Sequence, residues 1–160
     1  MIDRREAILA RLESVLTDMP GATISGGWSV YRNKEDLTEA MQPAFVIFDA
    51  HEERDPAGET LAAPSFGYAR VKMTPRVGLY AADAAENVGP ILDGMRLAAL
   101  AAIFADASSS AAGTLGAYLV APGAFTYEGA GSQLDRGAEM TGELLLSIAF
   151  FYPLKPTDFS

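Results

Sequence analysis

Asp49, His51 and Glu53 alternate along the chain, with Glu52 and Asp55 beside them. On a continuing strand the three alternate side chains would share one face, and carboxylates with one imidazole form a set that can hold a divalent cation. His51 is the only histidine and there is no cysteine, so a paired-imidazole or thiolate metal centre is excluded. The spacing fits no specific metal loop. A solvated acidic strand end accounts for the same residues and is the favoured reading, and the sequence leaves cation binding open.

Nucleophilic chemistry has less to work with. Ser108, Ser109 and Ser110 lie together, but the only imidazole is His51 and no Gly-x-Ser-x-Gly elbow is present. The pairs Gly26-Gly27, Gly113-x-x-Gly116 and Gly129-x-Gly131 lack the strand, turn and helix context with a following lysine that cradles a phosphate, and turns are expected there. The chain is therefore read as a non-enzyme with no cofactor; an enzyme of this sequence would have to depend on His51. The remaining constellation is electrostatic. Arg70, Lys72 and Arg76 form a basic stripe in a protein of net charge -9, either a solvated strand face or a contact with a partner.

The elements that must position these residues follow from periodicity. Asp3 and Glu6 make a capping-box start to a helix over Asp3–Asp18, with Ile8, Leu12, Val15, Leu16 and Met19 at helical spacing. A Gly-weakened strand is expected over Thr23–Tyr31 and a compact one at Ala44–Phe48. Glu52–Ser65 reads as a long loop, mobile until a partner orders it. Gly67–Ala81 alternates as one long strand, bulged or at an edge near Pro75. A second helix starts near Asp83 or Asn87 and runs to Asp106, with Pro90 in its first turn. Ala107–Gly116 reads as a mobile serine-rich loop, Tyr118–Val120 and Ala124–Glu128 as short strands, and Gly129–Thr141 as a polar turn. The last strand, Gly142–Tyr152, is largely apolar on both faces: Leu144, Leu146, Ile148, Phe150 and Tyr152 on one, Leu145, Ser147, Ala149 and Phe151 on the other. The fold class expected is α+β, two layers, a largely antiparallel sheet with two helices on one face. That arrangement leaves the second face of the last strand for a protein contact.

Composition narrows the classes. The chain of 160 residues has the size of a single domain spanning 1–160, and an acidic surface argues against wrapping nucleic acid. The opening residues lack a signal-peptide pattern, and no apolar run is expected to reach the ~20 residues of a membrane span.

The whole pattern resembles the tail terminator (tail-completion) proteins of long-tailed bacteriophages and prophages, small α+β proteins that cap the tail tube and meet the head-side connector. The resemblance rests on the opening helix Arg5–Met19, the strand Pro43–Asp49 followed by acidic residues, and the long strand Tyr68–Tyr80. The Ala-rich helix Val88–Ala105 and the ending Gly142–Pro153 complete it. The Pro-rich loop Asp55–Pro64 and the serine-rich loop depart from the family's pattern. The resemblance implies a structural virion protein, made in the host cytoplasm and located in the tail, that forms a ring, expected to be hexameric. Its partners would be the tail tube protein and connector or neck proteins, with no specific nucleic acid and no membrane. Candidate subunit or partner contacts are Asp49, Glu52, Glu53, Asp55, Arg70, Lys72, Arg76, Leu145 and Phe151, with the acidic and basic groups expected to meet across the subunit boundary. The alternatives are another neck or head-completion protein, or a small-molecule-binding domain with its pocket between helices and sheet.

Overall fold

A computed structural model of the chain describes residues 3–20, 27–35, 37–38, 41–55, 69–83, 85–135 and 140–154. In chain order the elements are α1 (Arg4–Thr17), β1 (Ser29–Arg32), β2 (Ala44–Phe48), β3 (Glu52–Arg54), β4 (Ala69–Met73) and β5 (Arg76–Asp83), followed by α2 (Ala85–Ala107), α3 (Leu115–Tyr118), β6 (Phe125–Asp135) and β7 (Met140–Leu154). The fold is α+β: seven strands form one sheet, antiparallel except for the β1–β2 pair.

β7 is the axis of that sheet. One edge pairs with β6 along Thr141 to Phe150, and the other pairs first with β5 and then with β4. Met73 lies opposite Phe150 and Arg76 opposite Ser147, so β4 and β5 hold one register through Thr74 and Pro75. The long strand expected from the alternation is present. It lies inside the sheet rather than at an edge, flanked by β7 on one side and by β2 and β3 on the other.

The alternation of β7 now has a physical account. Leu146, Ile148, Phe150 and Tyr152 are fully buried beneath the helices and join Phe45, Ile47, Val77 and Leu79 in one core with Ile8, Leu9, Leu12 and Leu16 of α1 and Val88, Met95 and Ile103 of α2. Each large apolar side chain so buried contributes about 1.5–3 kcal/mol. α1 starts as its sequence indicates, with the Asp3 carboxylate accepting from the Glu6 N–H. At its other end the Trp28 indole donates to the Leu16 carbonyl at 2.9 Å, satisfying an acceptor that the last helical turn leaves open.

Three expectations are corrected. Glu52–Arg54 is a strand paired with β4, not part of a loop; the rest of the expected mobile loop, from 56, lies outside the described residues, as do 23–26 of the expected first strand. Of the expected polar turn Gly129–Thr141, 129–135 continue β6 and 140–141 open β7, because Gly129, at φ +123°, lies at a bulge and the ladder resumes beyond it; 136–139 lie outside the described residues. The segment around Tyr118 is a short helix, and the serine-rich turn before it is held by defined bonds: Thr114 Oγ1 donates to the Ala111 carbonyl at 2.6 Å, and Ser109 Oγ accepts from the Ala111 N–H.

Candidate functional site

Alternation along β4 and β5 sends Val71, Met73, Val77 and Leu79 into the core, so Arg70, Lys72 and Arg76 stand on the opposite, helix-free side among the described residues. There they frame an apolar strip of half-buried side chains, Phe48, Tyr80, Leu145 and Phe151, with the Tyr80 and Phe48 rings lying over Gly78. The Arg70 guanidinium sits 4.9 Å from the Phe151 ring centre and donates through Nε to Asp55 at 3.0 Å. Lys72 reaches across β7 to Glu128 at 3.5 Å. Burial, then a hydrogen bond to Glu143, pushes the Tyr80 hydroxyl above its ordinary range, with Arg76 opposing. The strip is thus apolar at its centre and charged at its rim, the composition of a protein contact surface.

The acidic strand end does not gather into a site. Phe48 faces Arg76 while Glu52 faces Met73, so the outer strand spends one more residue than its neighbour between those two points. That extra residue reverses the phase of alternation and separates the three residues expected on one face. Asp49 turns to the helix side, where it and Glu6 hold Arg32 from two directions, each through two hydrogen bonds of 2.6–3.0 Å. Those bonds to Arg32 hold both carboxyls below their ordinary range and push the guanidinium further up. Glu52 also turns inward and accepts from the Tyr152 hydroxyl at 2.6 Å. Burial first, then that bond, raises the Tyr152 pKa. Glu53 lies on the far side, opposite Lys72, and His51 is exposed. Among the described residues no three metal-ligating groups come together.

Several of the charges expected to meet across a subunit boundary have partners within the chain. Asp55 with Arg70, and Asp49 with Arg32, pair inside one chain, while Lys72 takes Glu128 and Glu52 takes Tyr152. Glu52, Glu53 and Arg76 are the charged candidates that make no ion pair with another described residue.

Sequence reasoning missed a further cluster. Arg11 donates two hydrogen bonds, of 2.9 and 2.6 Å, to Asp106, whose carboxylate also accepts the Leu115 N–H at 2.8 Å, tying α1, α2 and α3 at one point. Burial drives the Asp106 pKa upward, but Arg11 and the Leu115 N–H together prevail and hold it below its usual value. The available signal was a carboxylate in the last turn of a helix, where the dipole disfavours it. Beside this tie an open groove of about 380 Å³ runs between α1 and α2, lined by Val15, Met19, Ala102 and Ala105 with Asp18 and Arg11 at its rim.

The chain matches no protein-family model and no curated protein. By length and composition Asn87–Ala107 could cross a bilayer, with a mean hydropathy of 1.5, contrary to the expectation that no such run exists. Its Val88, Leu92, Met95, Ala99 and Ile103 are packed into the core, and 33% of the run is buried.

Proposed function

We propose that this chain is a tail terminator of a long-tailed phage or related prophage, a structural protein whose copies form a ring on the end of the tail tube. The carrying observation is the face of the sheet that no described helix covers. Helices clothe one side, and the other presents Phe48, Tyr80, Leu145 and Phe151 within a rim of charge, a surface suited to a protein neighbour rather than to a small substrate. The order of helix, strands, Ala-rich helix and long final strand supports the same reading, as does an acidic surface past which DNA could move without being gripped. A ring of this kind stops polymerisation because its tube-facing and neck-facing surfaces differ, so a tube subunit finds its docking surface on one side only.

The test is co-expression with the cognate tail tube protein. Tubes capped at one end by a ring of this chain are the expected result. A chain that stays monomeric and leaves tube length unchanged would refute the reading, and a ligand-dependent thermal shift of such a monomer would transfer the function to the groove between α1 and α2.

A further inference from the structure

β6 has one partner. Its ladder to β7 spans Phe125 to Asp135, and among the described residues nothing pairs with its other edge. Which backbone groups look outward can be derived. In an antiparallel ladder the N–H and C=O of one residue point to the same neighbour. The Ile148 N–H donates to Pro75, away from β6, and the Phe151 N–H donates to Ala124, towards it. Residues of β6 opposite Ile148 and Leu146, namely Tyr127 and Ala130, therefore hold their N–H and C=O groups outward. Exposed edges are usually blunted by proline, lysine or a bulge, because they template pairing with another chain. β6 contains neither proline nor lysine, and its single bulge leaves the stretch from Gly129 onward regular.

The opposite border of the sheet offers a match. In β1 the Ser29 N–H bonds to Pro43 and the Asn33 N–H to Ile47, both on the β2 side, so Val30 and Arg32 hold their backbone groups outward. The segment Ser29 to Lys34 carries Arg32 and Lys34 and no acid, while Phe125 to Asp135 carries Glu128 and Asp135 and no base; Arg32 is held by Glu6 and Asp49 and Glu128 by Lys72, so the difference in sign between the two segments rests on Lys34 and Asp135. Lys34 stands over the Tyr31 ring, 5.7 Å from its centre.

We propose that the outer edge of β6 is a seam that receives β1 of the next copy of this chain, continuing the sheet from one subunit into its neighbour. The contact is heterologous, with different edges used on the two sides of each copy, which a closed ring requires and a two-fold dimer does not. It names the subunit contact of the ring proposed above and rests on that reading.

Ala130→Pro deletes an outward donor while leaving the β6–β7 bonds in place, and Ala130→Val keeps the donor. The parent and Ala130→Val are expected to assemble into rings by light scattering and particle imaging, and Ala130→Pro to remain a monomer with the parent's circular dichroism. Hydrogen exchange at Tyr127, Ala130 and Val30 should slow about tenfold or more in the parent ring relative to dilute monomer; this comparison decides the matter should Ala130→Pro not fold. An Ala130→Pro variant that assembles normally, or a ring whose β6 and β1 amides exchange as in the monomer, overturns the seam and leaves the ring intact. Slowing at Ala130 without slowing at Val30 means that β6 pairs with another strand and also overturns it. A parent that forms no ring under tail-assembly conditions overturns the ring and the seam together.

Discussion

Replacing Asp106 with alanine should cost about 3 kcal/mol of stability. Its side chain is 12% exposed and receives two bonds from Arg11 and one from the Leu115 N–H. Charge-assisted bonds contribute roughly 1.5–3 kcal/mol each, but Arg11, at 34% exposed, regains water when its partner is lost, so about half of that applies. The stranded Leu115 N–H adds roughly 1 kcal/mol or more. For a chain of this size a loss of about 3 kcal/mol lowers Tm by roughly 6–12 °C. Asp106→Asn keeps an acceptor for Leu115 and loses the ion pair, so it should cost about 1–1.5 kcal/mol at neutral pH. The pH dependence is fixed by sign: a carboxyl whose folded pKa lies below its unfolded value, about 3.9, stabilises above that pH and loses the contribution as pH falls through the lower folded pKa. The gap between parent and Asp106→Asn should therefore hold from pH 7 down to about 5 and narrow below about 4. Urea titrations of the three proteins across that range measure it. An Asp106→Ala variant within about 0.5 kcal/mol of the parent, or a gap that does not change with pH, would refute the reasoning.

Gly116→Ala should destabilise by about 2–3 kcal/mol, because the added Cβ would fall inside van der Waals contact with the carbonyl oxygens of Ser109 and Ala107, both backbone atoms that cannot swing aside; a melting curve superimposable on the parent's would contradict this. Tyr152→Phe removes the donor to Glu52 and should cost about 1–2 kcal/mol by chemical denaturation, with no effect on ring formation. Phe151→Asp should leave the fold intact, since Phe151 is half-buried outside the main core, yet abolish tube capping; a variant that folds and caps normally would remove this face from the interface.

Much of the fold was legible because burial follows period. The two-sided apolarity of Gly142–Tyr152 marked the axis of the sheet, and the alternation of Val71, Met73, Val77 and Leu79 located the long strand through Pro75. What stayed hidden depended on phase and distance. One extra residue between Phe48 and Glu52 decides that Asp49 and Glu53 point to opposite sides, and no composition signal distinguishes a bulge there from a straight strand. Gly129 and Gly131 read as a turn, whereas Gly129 supplies the positive φ of a bulge. Arg11 and Asp106 are separated by 95 positions, beyond any local pattern. The basic stripe was visible, but its partners Asp55 and Glu128 became known only when the strands were laid side by side.

Electron microscopy of tubes assembled from the cognate tail tube protein, with and without this chain, tests the ring most directly. Tubes ending in a closed ring of this protein, and ceasing to grow once it is added, are the expected result. Tubes that elongate at the same rate and carry no extra density at their ends would contradict it.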